Sequence, residues 1–348
     1  VLPRLPKYHS RFRLRRRLPK LVLLVLISLF TVLAVYSFLY GPQTPSPDRP
    51  VYGVSFDPYY AQSLGLDWQQ TYSKLLDDLG VRHLRLTAHW NKIEPQPGQF
   101  FWDDLDWQMQ EAEARGVKVA LGVGRKLPRW PECHDPIWLE SLTEEEVENE
   151  LLSMIKTVVD RYHSYPNLEF WQVENEPFFP FGHCQLADPR LVKKEIDLVR
   201  SLDSRPTYTT DSGEGGTWFI AGHLGDYFGI SMYRVVWFDF WGLLPPVYFK
   251  YPLPHWSYRV KAFLTQLPLA KILLVELQAE PWGDKPTPEL TEAEEARTMS
   301  PTKFDQIIDY SQKAGFKRIY LWGAEWWLFK KDQGQPAYWE RVRKLLID

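Results

Sequence analysis

Cysteine is almost missing from this chain: 348 residues contain two, Cys133 and Cys184. That excludes a disulfide-stapled miniature fold. With His134 and His183 beside them they offer zinc-ligand types, but at no recognised spacing. One bridge between them is allowed outside the cytoplasm, and two unpaired thiols are the other possible state. A glycine-rich phosphate turn is also lacking, because the first apolar run leads into FDPYYAQS, which argues against a doubly wound nucleotide fold. Positive charge is scarce beyond residue 20, where 33 Lys and Arg face 44 Asp and Glu, a balance of −11. Nucleic acid is therefore not an expected partner, and no cofactor or metal is expected either.

The amino-terminal 50 residues have their own composition. Residues 1–20 carry Arg4, Lys7, Arg11, Arg13, Arg15, Arg16, Arg17 and Lys20 with no acid, and residues 21–40, LVLLVLISLFTVLAVYSFLY, carry no charge. A helix of that length spans roughly 30 Å, the thickness of a bilayer core, and flanking bases keep their end in the cytoplasm. A cleaved signal peptide would have a shorter apolar region and a small-residue cleavage site, for which Ala34 and Ser37 are a weak match. The expectation is a cytoplasmic tail (1–20), a single transmembrane anchor in the bilayer (21–40), a proline-rich stalk (41–50) and an extracytoplasmic domain (51–348).

From Val51 onward, apolar runs alternate with amphipathic ones. Strands are expected at 51–56, 81–87, 117–123, 168–174, 206–211, 227–233, 271–277 and 317–323, separated by helical patterns such as WDDLDWQMQEAEARG and TEEEVENELLSMIKTVVDRYH. Gly80 and Gly116 each stop a helix just before a strand. Eight such units predict an α/β fold closed as a (β/α)8 barrel, with a doubly wound sheet as the other candidate. Both cysteines then lie in loops on the carboxyl-terminal rim, after the third and fourth strands. Aromatic residues make up 15% of the chain, with 16 Trp, more than a core requires, and sugar rings pack on such faces.

Glu176 ends LEFWQVENEP and Glu276 ends AKILLVEL. A charge at the carboxyl end of a buried strand is poorly explained by packing, and two on one rim suit a retaining glycosidase, in which one carboxyl protonates the leaving oxygen while the other attacks the anomeric carbon. At these residues the chain resembles the clan A (β/α)8 retaining glycoside hydrolases, including the cellulase-like family 5 and the β-galactosidases of family 42. The resemblance covers roughly residues 51–348. It implies that Asn-Glu-Pro at 175–177 supplies the acid/base, Glu176, and that Glu276 is the nucleophile. It further implies that Arg85 holds the nucleophile ionised, that Tyr233 hydrogen-bonds it, that Trp322 floors the first sugar subsite, and that Asn175 bonds the sugar 2-hydroxyl.

Other readings stand beside these. Glu280 and Glu325 also lie near strand ends and compete for the nucleophile role, while Glu174, His89, Trp90 and Trp130 lie near the rim as substrate contacts or scaffold. The expected function is membrane-anchored hydrolysis of β-linked oligo- or polysaccharide. A barrel that binds glycan without cutting it, and a transglycosylase using the same covalent intermediate, are the alternatives. The long aromatic segment at 234–256 is expected to wall the cleft or to lie on the membrane.

Overall fold

The computed structural model describes residues 20, 22–34, 49–238 and 246–347. Its contacts divide the chain into Val1–Pro47 and Asp48–Asp348. In the first unit residues 22–34 are helical, with the Thr31 hydroxyl donating to the Ile27 carbonyl at 2.8 Å. Among the described residues no helix is long and apolar enough to cross a membrane. The anchor expected at 21–40 extends over residues 21 and 35–40, outside the described residues, as do 1–19 of the tail and 41–48 of the stalk.

In the second unit the alternating runs become β1 (Val51–Ser55), β2 (His83–Thr87), β3 (Lys118–Val123), β4 (Leu168–Val173), β5 (Thr207–Asp211), β6 (Tyr227–Met232), β7 (Val235–Phe238), β8 (Val247–Lys250), β9 (Ile272–Gln278) and β10 (Arg318–Trp322). All of them except β7 and β8 close into one parallel barrel, in the order β1-β10-β9-β6-β5-β4-β3-β2. Every strand foreseen in the sequence is present within two residues of its expected ends. The helices between them follow their patterns too. Glu144–Tyr162 opens on a capping box from Thr143 and Glu146 and buries Leu151, Met154, Ile155, Val158, Val159 and Tyr162, a stripe of helical period against the sheet. Gly80 (φ 70°) and Gly116 (φ 64°) take the left-handed conformation that ends a helix cheaply.

The barrel interior is small and mixed. Ala120, Phe170, Tyr208, Leu273, Val275 and Tyr320 fill it. Gly53 makes the space for Tyr320, because a Cβ there would lie 2.8 Å from that ring. Within the segment at 234–256, Val235–Phe238 pairs with Val247–Lys250 in antiparallel register. Both runs, VVWF and VYFK, carry strand-forming residues, and their proximity in sequence lets them pair locally.

Cys133 and Cys184 are bonded, with Cα atoms 4.9 Å apart and a sequence separation of 51. The bridge ties the loop after β3 to the loop after β4. Closing a loop of that length is worth about 4 kcal/mol through the unfolded state. Reduction should therefore lower the free energy of unfolding by an amount of that order, checked by urea unfolding with and without dithiothreitol.

Candidate active site

Strict alternation along β9 would hide Glu276. Leu273 and Val275 face the interior, while Ile272, Leu274 and Leu277 join the layer between sheet and helices. The next inward position after Val275 would be Leu277. The register shows why Glu276 turns inward instead. Against β6 the pairing steps from Ile230↔Leu274 to Ser231↔Glu276, and against β10 from Ile319↔Leu274 to Leu321↔Leu277. β9 thus carries one extra residue relative to both neighbours, a bulge that delivers the carboxyl to the barrel mouth.

There it meets Arg85 from β2, whose Nη1 donates to Glu276 Oε1 at 2.8 Å, and Tyr233 after β6, whose hydroxyl donates to Oε2 at 3.1 Å. Arg85 is only 1% exposed, and its remaining donors are also used: Nε to Gln172 Oε1 at 2.7 Å and Nη2 to Asn175 Oδ1 at 2.8 Å. A buried ion pair that loses one partner leaves a naked charge, a loss of about 3–5 kcal/mol. Arg85→Met should therefore destabilise the domain by that order and cut activity as well, measured by chemical denaturation and by assay of the remaining soluble protein.

The other glutamate is delivered by backbone strain. Glu174 (φ 60°) and Glu176 (φ 46°) both adopt left-handed conformations unusual for glutamate. The first turns the Glu174 carboxyl away from the mouth, onto the backbone N–H groups of Arg125 (2.7 Å) and Lys126 (2.8 Å). Asn175 is thereby aimed inward. Thr210 fixes the turn, since its hydroxyl donates to Asn175 Oδ1 at 3.0 Å and accepts the Glu176 N–H at 2.7 Å. Lys126 Nζ donates to the carbonyls of Glu176 (2.8 Å) and Phe179 (2.9 Å). The Glu176 carboxyl receives the Ser231 hydroxyl at 2.7 Å. Burial, and then the negative charge of Glu276, push its pKa up to about 8.

The remaining candidates fall into two groups. Trp130 is on the rim, 65% exposed. His89 and Trp90 are not brought to the cleft. His89 is buried, stacked on His134 at 3.7 Å and bonded to the Pro128 carbonyl, and burial lowers its pKa to about 4. Trp90 is fully buried and donates to Glu94 at 2.7 Å. Both take the scaffold side of the two readings: they lie in the loop directly after β2, where His89 precedes the short helix Trp90–Ile93 and Trp90 packs into the core. Glu280 and Glu325 are occupied by one cation, with Arg129 donating to them at 2.5 and 2.8 Å. The same guanidinium stacks between Tyr60 (3.7 Å) and Trp322 (4.0 Å), so part of the expected sugar floor is covered by Arg129. Sequence reasoning missed Arg129, Lys126, Ser231 and Thr210, which lie in loops or at strand ends without a motif of their own.

Ring contacts lead outward from the site. Tyr233 touches Trp282 (5.2 Å), Trp282 touches Phe181 (5.4 Å), and Phe181 touches Trp130 (6.0 Å). The disulfide holds the Trp130 and Phe181 loops together.

Comparison with known proteins gives three findings. A family model described as glycoside hydrolase family 42, β-galactosidase, matches residues 59–149, the stretch that holds Arg85. No curated protein matches the chain. Among solved structures, a GH5_18 protein from Streptomyces cattleya in complex with GlcNAc is similar over 80% of this chain and 71% of its own (14% identity, TM-score 0.53). A β-galactosidase from Rahnella sp. R3 is similar over 87% of this chain, which spans 56% of that protein (11% identity, TM-score 0.58). A GH5_18 variant from Bifidobacterium longum subsp. longum in complex with Manβ1-4GlcNAc is similar over 79% of this chain and 69% of its own (17% identity, TM-score 0.53). At these identities the structural likeness speaks for the barrel, and the family model adds the sequence signal. Together they show a (β/α)8 barrel that resembles the glycoside hydrolases of families 5 and 42, with the family 42 sequence signal confined to residues 59–149.

Proposed function

We propose that this chain is a glycosidase that cleaves β-glycosidic bonds in oligo- or polysaccharide with retention of configuration, using Glu276 as nucleophile and Glu176 as acid/base. The observation that carries the reading is the division between the two glutamates. Glu276 receives hydrogen bonds from a buried arginine and a tyrosine hydroxyl, while Glu176, pushed up to about 8, still carries its proton at neutral pH. In the first step a Glu276 oxygen bonds to the anomeric carbon, the bond to the aglycone oxygen breaks, and that oxygen takes the Glu176 proton. In the second, water gives a proton to Glu176 and attacks the anomeric carbon, releasing the sugar and restoring the Glu276 carboxylate. The test is the anomeric configuration of the first-formed product, followed by proton NMR before mutarotation. A β product from a β substrate is expected, and an α product contradicts the reading.

An extended substrate is supported by the ring path from Tyr233 to the exposed Trp130. One stacked sugar is worth about 0.5–1.5 kcal/mol, a factor of roughly 2–13. Trp130→Ala should lower the ratio of kcat/KM on a tetrasaccharide to that on a disaccharide by such a factor. An unchanged ratio removes Trp130 from the substrate path.

The domain works outside the cytoplasm at a membrane, in this proposal. The acid-free basic tail, the charge-free run at 21–40 and the proline-rich spacer support it. The full chain should sediment with membranes and resist carbonate washing, and a fragment starting at Val51 should remain soluble.

A further inference from the structure

The helix Ser257–Leu264, between β6 and β9, carries apolar residues on its outer face. An outer helix of a barrel normally buries its apolar stripe and shows charge to water. Pro189–Leu202 does so, burying Val192, Ile196 and Val199 and presenting ion pairs through Lys193, Lys194 and Arg200. Ser257–Leu264 buries Tyr258 and Ala262 and exposes Phe263 (61%), Leu264 and, at its amino-terminal cap, Trp256. Positions 256, 263 and 264 share one helical face. Beside it, the link from β5 to β6 has only the short turn Ala221–His223 in place of an α-helix among the described residues, and there Phe219 (62%) and Ile220 are exposed. The two segments are joined, as Lys261 Nζ donates to the Gly213 carbonyl at 2.9 Å and His223 Nε2 to the Thr265 carbonyl at 2.9 Å. Charge on this flank is one-sided as well. Residues 246–275 contain no Asp or Glu but carry Lys250, Arg259, Lys261 and Lys271, in a chain whose balance beyond residue 20 is −11. Lys250 and Lys271 are exposed, whereas an acid that touches the helix, Glu214, lies beneath it with its side chain buried, taking the Tyr258 hydroxyl.

We propose that this flank docks on an anionic bilayer surface, with Trp256, Phe263, Leu264, Phe219 and Ile220 entering the headgroup boundary and the bases meeting lipid phosphates. This rests on the membrane reading above and concerns a surface which that reading leaves unassigned. Exposed apolar residues, an acid-free sequence and flanking bases are together the composition of a segment that lies in the interface plane. A helix of eight residues is about 12 Å long, too short to cross a bilayer, so it lies on the surface. A handful of apolar side chains binds lipid only reversibly, and the docking therefore orients a tethered domain without retaining an untethered one. Since the helix runs back along the barrel wall, contact through it lays the barrel on its side, with the cleft mouth beside the membrane.

The test uses the full chain in liposomes of phosphatidylcholine and phosphatidylglycerol, with a nitroxide on Phe263→Cys or on Phe219→Cys. The control label is on Glu113→Cys, exposed on the helix Asp103–Ala114 between β2 and β3, across the barrel from the proposed surface. The native cysteines are bonded to each other and take no label. Power saturation compares the access of oxygen, which dissolves in lipid, with that of a nickel chelate, which stays in water. On transfer from detergent to liposomes, the labels at positions 263 and 219 should gain oxygen and lose the chelate, while the label at 113 should stay open to the chelate. Labels at 263 and 219 that remain as open to the chelate as 113, in a chain that resists carbonate washing, overturn the docking and leave the anchor intact. Dipolar broadening between labels at 263 also overturns it, because a second copy then covers the flank. A chain that carbonate removes from the liposomes overturns the anchor, and this proposal with it.

Discussion

Glu276→Ala is expected to lower kcat on every glycoside by about 10⁴-fold or more, because without the nucleophile no covalent intermediate can form. At 25 °C that is a barrier increase of at least about 5.5 kcal/mol. The loss should not depend on the leaving group. External azide should partly restore turnover and yield the azide of inverted configuration, as a small anion fills the space that the carboxylate leaves. The two competing glutamates give the contrast. Glu280 and Glu325 share Arg129, so Glu280→Ala should disturb the Trp322 side of the cleft without removing the covalent step. A Glu276→Ala protein with near wild-type turnover, or a Glu280→Ala protein as dead as Glu276→Ala is expected to be, transfers the nucleophile role elsewhere.

Glu176→Ala should behave differently. General acid help is worth about 10²–10⁴-fold where the leaving group needs a proton and little where it does not. The variant should therefore lose that factor on alkyl and sugar aglycones and keep most of its first-step rate on a dinitrophenyl glycoside, with the second step becoming slow. The pH profile adds a second readout. The acid works protonated, and its pKa stands at about 8, so wild-type kcat/KM should fall as pH rises through about 8. In Glu176→Ala that basic limb should vanish. A limb that persists unchanged belongs to another group, and Glu176 is then not the acid.

Most of the barrel can be read from the sequence because each of its parts is local. The eight apolar runs, the Thr143 cap and the helix stops at Gly80 and Gly116 need only a few neighbouring residues to be recognised. The hairpin at Val235–Phe238 and Val247–Lys250 was hidden by its aromatic content, which resembles a binding wall as much as a strand pair. Within the site, Glu176 and Glu276 stand out as charges after apolar runs, yet the features that aim them are not visible in one dimension. The β9 bulge is a mismatch with two other strands, and the left-handed turn at Glu174 depends on amide groups contributed by Arg125 and Lys126. His89 and Trp90 show the converse: residue types suited to a sugar site, here buried in the loop after β2.

The central claim is a covalent bond to Glu276, and the most direct measurement traps it. The domain from Val51 onward is incubated with aryl β-glycosides bearing a 2-deoxy-2-fluoro sugar, which slows both steps, the second by more when the leaving group is activated. Intact mass and peptide mass are then recorded. One glycosyl unit added to the peptide containing Glu276, absent in Glu276→Ala, is the predicted result. A glycosyl adduct on Glu280, Glu325 or Glu176 would contradict it.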